Sequence, residues 1–244
     1  MKVQHLLAAA LVGGAMMIPV WAAPTDSNLA GAGSIMITAD QLAYDGATGR
    51  AEATGSVVIT KDDKTMTGAS GWYNTNTEEG FLTGGVSMMG TNMSMAASEV
   101  HVVQNHQLTA TGNVHLQKDD RQLYGDQVTY NTDTGYGEIT GNGQLVLADS
   151  VLTGNHITAF TNEISATATG NVTLSSTSRN VNATADQATY RQTPNLNDGV
   201  AYLKGNARAV QNGNVLEAPE LKIELSDNSA ETLGGRSTLI ITPK

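Results

Sequence analysis

ITADQLAYDGATGRAEATGSVVIT, Ile37 to Thr60, contains the pattern on which the fold turns. It runs from a small residue, Ala39, through an apolar segment, reverses at the turn string DGATG, and returns through ATGSV with Gly55 at its middle. Both halves recur along the chain. ATGSV is followed by LTGGV, ATGNV, ITGNG, ATGNV, LKGNA and LGGRS, which place glycines at Gly55, Gly84, Gly112, Gly141, Gly170, Gly205 and Gly234. ADQLAY is followed by GASGWY at Gly68, ASEVHV at Ala97, GDQVTY at Gly125, GNHITA at Gly154, ADQATY at Ala185 and APELKI at Ala218. Successive glycines of the first series lie 29, 28, 29, 29, 35 and 29 residues apart, so the chain is seven units of two segments each. An insertion around Arg191 to Gly199 accounts for most of the long interval. A fixed period of this length means one supersecondary unit per repeat.

Each segment is bounded by reversal chemistry: DGATG, NTNTE, NTDTG and SDNS within units, KDDK, GTN, KDDR and QNGN between them. Asp, Asn and Gly supply the self-bonded or left-handed backbone that tight turns need. Segments of about ten residues rich in Thr and Val between such turns read as antiparallel strands, and Gly and Thr are disfavoured in helix interiors. Pairing Ala39 with Gly55 centres a hairpin on Ala47, and pairing Gly125 with Gly141 centres one on Asp133, both inside turn strings. The expectation is an all-β chain: a single antiparallel meander of about 14–16 strands with a small residue from every strand in one line.

Glycine inside a strand marks a bend or a close approach. A column of them, Gly55, Gly68, Gly84, Gly112, Gly125, Gly141, Gly154, Gly170, Gly205 and Gly234, reads as a crease along which the sheet folds lengthwise into a bent, open β-jelly-roll. Face alternation agrees. Two and four residues after the second-strand glycine, 11 of 14 positions are apolar, against 5 of 14 at the alternate positions, so one face is selected for the interior. In first strands the apolar parity switches after the crease, which is the signature of an inserted residue, a β-bulge. The inward stripe so defined contains Leu42, Tyr44, Val57, Ile59, Val86, Met88, Val114, Leu116, Val128, Tyr130, Leu145, Leu147, Ile157, Val172 and Leu174. It breaks at Gly143 and again at Arg236 and Thr238. Small and aliphatic side chains on a long inner face leave room for an apolar groove.

Composition narrows the function. With 13 Lys+Arg against 23 Asp+Glu the chain cannot neutralise a row of phosphates, which excludes nucleic acid as a partner. Without cysteine there is no disulfide scaffold, thiolate metal site or cysteine nucleophile. Lys2, the apolar run Leu6 to Ile18 and the small-residue site Val20-Trp21-Ala22 have the layout of a secretory signal peptide. The expected organisation is a signal peptide over 1–22, a flexible segment over 23–34 and one repeat domain over 35–242, exported to the periplasm; an uncleaved anchor is the alternative.

Catalytic chemistry finds little footing. His101, His106, His115 and His156 lack metal-ligand spacing and read as solvated surface residues. Asp62-Asp63 and Asp119-Asp120 flank reversals beside Lys or Arg and read as turn residues. Asp40, Asp126 and Asp186 recur beside the crease and read as acceptors for backbone amides freed by the bulge. Trp72 and Phe160 read as isolated aromatics. The chain is expected to be no enzyme and to need no cofactor or metal.

The recurring Ile37–Thr60 pattern resembles the OstA-like family of lipopolysaccharide-transport proteins, over about Ile35 to Ile241. The resemblance implies a bent β-jelly-roll that shelters the acyl chains of lipid A on the inward stripe while the sugars stay in water. It implies partners joined through the terminal strands: an inner-membrane-anchored LptC-like protein, an outer-membrane LptD-like protein, and further copies head to tail. A membrane-anchored member of the same pathway and a β-repeat scaffold without lipid cargo are the alternatives.

Overall fold

A computed structural model describes residues 35–242 apart from 62, 92, 105, 119, 120, 132, 148, 149, 161–163, 194, 195, 197, 225 and 228, so the expected signal peptide and N-terminal segment lie outside the described residues. The strands are β1 (Met36–Thr38), β2 (Gln41–Asp45), β3 (Arg50–Lys61), β4 (Lys64–Asn74), β5 (Glu79–Met89), β6 (Met93–Val103), β7 (Gln107–Lys118), β8 (Arg121–Asn131), β9 (Tyr136–Val146), β10 (Ser150–Phe160), β11 (Ser165–Ser176), β12 (Val181–Arg191), β13 (Val200–Gln211), β14 (Asn214–Glu224), β15 (Ser229–Leu233) and β16 (Thr238–Ile240). They form one sheet in chain order, with β1 and β2 both on β3, and β15 and β16 both on β14. The fourteen segments of the repeat thus give 16 strands because the first and last segments divide at the crease. The sheet is an open all-β meander: among the described residues both terminal segments have a neighbour on one side only.

Turn residues act as the sequence leads one to expect. Asp45 Oδ1 accepts the Ala47 amide at 2.8 Å, Asn74 Oδ1 that of Asn76 at 2.8 Å, Asn131 Oδ1 that of Asp133 at 3.0 Å and Asp227 Oδ1 that of Ser229 at 2.9 Å. Each Asx side chain closes its own reversal and fixes the hairpin register.

The crease is a line of bulges. Thr54 pairs with Ser70 and Val57 with Gly68, so Gly55 and Ser56 together oppose one residue, Ala69. The same two-against-one step recurs at Gly84-Gly85, Gly170-Asn171 and Gly205-Asn206. This corrects the register expected from sequence by one residue. The second-strand glycine does not face the small residue of its hairpin partner but the residue after it: the Asp40 amide bonds the Gly55 carbonyl at 2.8 Å. Both bulge residues are left-handed, φ being +85° at Gly112 and +48° at Asn113. A side chain at Gly112 would also lie 2.6 Å from Ser98 Cβ, so backbone sign and space both demand glycine there.

The first-strand glycines are small for a different reason. Gly68 has ordinary φ, but a Cβ there would lie 2.8 Å from Leu82 Cγ. Leu82 pairs with Gly71, beyond the crease. It reaches back over Gly68, so the two arms of the sheet face each other.

The described residues gather into two compact units, one within 35–119 and 129–133, the other within 120–128 and 134–242. The first is cored by Val57, Met66, Tyr73, Leu82, Val86, Met88, Met95, Val100, Val102, Ala110 and Val114. The second is cored by Ile139, Leu152, Ile157, Ala168, Val172, Ala183, Ala188, Leu203, Ala207, Leu221 and Ile223. Parity switches across each crease: Met95 gives way to Val100 and Val102, Leu152 to Ile157, Ala183 to Ala188.

Candidate functional site: a creased apolar trough in each unit

Because the arms converge at the bulges, the inward residues nearest the crease are sealed. In the first unit Val57, Val86 and Val114 are 1–2% exposed; in the second Val172 and Ile157 are each 1% exposed and Val128 is buried. Farther from the crease burial is uneven: Tyr73, Val102 and Ile223 on first strands stay buried, each 4% exposed. On the other strands Ile59, Leu116 and Tyr130 in the first unit, and Leu145, Leu147 and Leu174 in the second, are half-buried, while Met88 and Ala209 are buried. Each trough therefore has a closed floor and an apolar lip.

Two expectations about the stripe change. Gly143 is no gap: a Cβ there would lie 3.2 Å from Ile157 Cδ1 and 3.3 Å from Ile139 Cγ2, so side chains of the opposite arm fill the place. At the last crease, Leu233 pairs with Glu220 and Thr238 with Glu217, which leaves 234–237 opposite Ala218 and Pro219. That is one residue more than the internal creases carry. The extra residue turns parity over, so Leu239, not Thr238, pairs with inward Leu216. Pro219 tolerates the position because a bulge needs no ladder N–H.

The ends of the stripe differ from its middle. Tyr44 is half-buried, but Leu42 is 51% exposed because β2, among the described residues, is an edge strand paired on one side. At the other end Leu239 is 61% exposed on β16. Between the arms of the second unit there lies a cavity of about 290 Å³, lined by Val181, Ala209, Leu216, Ile223 and Leu239, with Arg179 and Glu224 at its rim. That is the low end of the size range of small-molecule pockets.

Polar groups at the crease hold its shape. Asn142 Nδ2 donates to Asp126 Oδ2 at 3.1 Å, Asn206 Nδ2 to Asp186 Oδ2 at 3.0 Å, and Ser56 Oγ to Asp40 Oδ2 at 3.3 Å. The recurrent aspartates thus clip the side chain of the second bulge residue, where the sequence suggested a backbone amide. The histidines are also less solitary than expected: His101 Nε2 lies 2.9 Å from Glu79 Oε1, His156 Nε2 2.7 Å from Glu138 Oε1 and His106 Nδ1 2.9 Å from Asp133 Oδ2. Nor are Trp72 and Phe160 isolated. Arg50 stacks 4.3 Å from the Trp72 ring, His101 lies within 6.5 Å of both Trp72 and Phe81, and Phe160 packs 5.2 Å from Tyr136. Register brings these rows together across strands, which no local motif announces. Among the described residues no three His, Asp or Glu side chains converge on a metal-sized site.

The fold is a creased antiparallel β-meander whose inward face is aliphatic. The sequence pattern of the family described as LptA/(LptD N-terminal domain) LPS transport protein matches residues 67–165 and 103–229. The chain belongs to that family, whose members are non-enzymatic transport proteins. No curated protein matches it. Among solved structures it is similar to LptH of Pseudomonas aeruginosa, the LptA-homologous periplasmic component of the lipopolysaccharide transport device, at 11% identity over 86% of this chain and 96% of that one, with a TM-score of 0.21.

Proposed function

We propose that this chain is a periplasmic carrier that shelters the acyl chains of lipopolysaccharide in its trough during passage from the inner to the outer membrane. The observation that carries the reading is the graded trough, with a sealed floor that holds the fold and a half-buried aliphatic lip that an acyl chain can cover. The lip residues are the part of the inward stripe assigned to lipid: Ile59, Leu116, Tyr130, Leu145, Leu147 and Leu174. Covering such surface stabilises a complex by about 25 cal/mol per Å². With 13 Lys+Arg against 23 Asp+Glu, long-range attraction of lipid A phosphates contributes nothing. Residues 1–22 serve as a signal peptide removed after Ala22, and 35–242 act as one domain. The open terminal strands take strands from an LptC-like protein, an LptD-like protein or another copy of the chain, since unpaired edges accept strand addition.

Photo-crosslinkers test the reading. Placed at Leu116 and Leu174 in the exporting host, they capture lipopolysaccharide; placed at Gln117 and Thr173, exposed on the opposite face, they do not. Equal capture on both faces, or none at the lip, overturns it. N-terminal sequencing of the exported protein should begin at Ala23; a chain retaining Met1 would instead point to the membrane-anchored alternative.

A further inference from the structure

We propose that copies of this chain join in one register, set by an intermolecular ion pair between Arg236 at the last crease and Asp40 at the first. The inference rests on the head-to-tail assembly proposed above and specifies its contact.

Within the chain, every second strand is followed by a first strand whose crease residue stands opposite the glycine bulge. Ala69 stands opposite Gly55-Ser56, Asp186 opposite Gly170-Asn171 and Pro219 opposite Gly205-Asn206. The last second strand, β15 with β16, bonds only to β14, so the place beyond it is open. The residue that the repeat would put there is the crease residue of a first strand. The chain owns one first strand whose preceding side is equally open: β1 and β2, which bond only to β3 and carry Asp40 between them.

The two edges are complementary. Where internal second strands place a small or apolar residue two positions after the glycine, the last places Arg236, exposed and with no carboxylate partner among the described residues. Asp40 is exposed; its carboxylate lies against Gly55, accepts from the neutral hydroxyl of Ser56 at 3.3 Å and has no cation beside it among the described residues. Docking by the internal rule sets this carboxylate against the 234–237 loop. It also sets Ile37 beside Leu239 and Met36 beside Ile240, with Met36, Leu239 and Ile240 exposed in the single chain, while Leu42, beyond the crease, falls beside Thr232 of β15. A slip of one residue would turn the apolar side chains outward and part the charges, so the pair selects the register.

The test is sedimentation velocity of the mature chain over a concentration series, for the wild type, Asp40→Lys, Arg236→Glu and the double variant. Each single reversal should weaken self-association by about tenfold, and the double variant should restore it to within about twofold of wild type, since an ion pair that sets register is recovered when its signs are exchanged. Should Asp40→Lys disturb the first crease in circular dichroism, Asp40→Asn reads the same loss without the reversal. Singles that associate like wild type, or a double variant no better than the singles, overturn the ion pair and leave head-to-tail assembly standing. A wild-type chain that stays monomeric throughout overturns both.

Discussion

Val172 and Leu174 stand two residues apart on the same face of β11, yet Val172 is buried and Leu174 half-buried. Val114 and Leu116 on β7 repeat the contrast. Residue type does not explain it, since the larger, more apolar side chain is the wetter one in both pairs. In these two pairs the buried residue is the one nearer the crease, although Met88, as far from its own crease as Leu174, is sealed. At the bulge the opposing arm is close enough that Ala168 Cβ would touch a side chain at Gly154 at 3.3 Å. One pleat farther out Leu174 is only half covered. The floor therefore carries stability and the lip carries the capacity to bind, and substitutions should separate the two.

The largest effect should come from the bulge that brings the arms together. Gly112→Ala puts a Cβ where φ is +85° and against Ser98, and should destabilise by about 3 kcal/mol, measured by urea unfolding. A loss below about 1 kcal/mol would mean that the crease relaxes and is not the hinge of the fold. Next, Val172→Ala at the floor should cost about 2 kcal/mol through the void it leaves, and Leu174→Ala at the lip under about 1 kcal/mol. Lipopolysaccharide retention should respond in the opposite order, with Leu174→Ala losing more. Parallel losses in both assays would erase the distinction between floor and lip.

A smaller effect isolates the polar clip. Asn206 holds φ +48° and donates to Asp186. Asn206→Gly keeps the backbone and removes the hydrogen bond, for about 0.5 kcal/mol; Asn206→Ala loses both, for about 1.5 kcal/mol. If the two variants unfold alike, the side chain is ornamental and backbone freedom alone makes the bulge.

How far the sequence could be read follows the same division. Period, turn chemistry and parity are local, so the meander, the hairpins and the inward stripe were all visible in Ile37–Thr60 and its copies. Register across the crease was not. Two left-handed residues opposing one shift every partner by a position, and Gly68 and Gly55, alike in sequence, differ in φ. The filling of Gly143 by Ile139 and Ile157 depends on the opposite arm, and the row of Arg50, Trp72 and His101 spans separate strands. The exposure of Leu42 reflects a missing neighbour, which no residue reports about itself. The extra residue at 234–237 looked like a loss of pattern at Arg236 and Thr238, although it restores parity at Leu239.

The smallest expected effect lies outside the trough, in the reversal that joins β3 to β4. Lys64 Nζ bonds Asp63 Oδ1 at 3.0 Å and the Thr91 amide bonds its Oδ2 at 3.3 Å, so the turn is tied to the next reversal along the sheet. The Lys64 hydrogen bond, followed by those of Thr91, lowers the Asp63 carboxyl from 3.8 to about 2. A depressed carboxylate favours the folded state only while ionised, so this contribution is complete above about pH 3.8 and disappears as pH falls through about 2. Asp63→Asn should therefore lower stability slightly at neutral pH and not at all near pH 2, the two unfolding curves converging between those limits, while Val172→Ala keeps its full cost at both. Since Asp63 is exposed and screened by solvent, the gap should also narrow with added salt. A floor variant whose cost varied with pH in the same way would show that the packing of the trough and the charge of its turns are coupled.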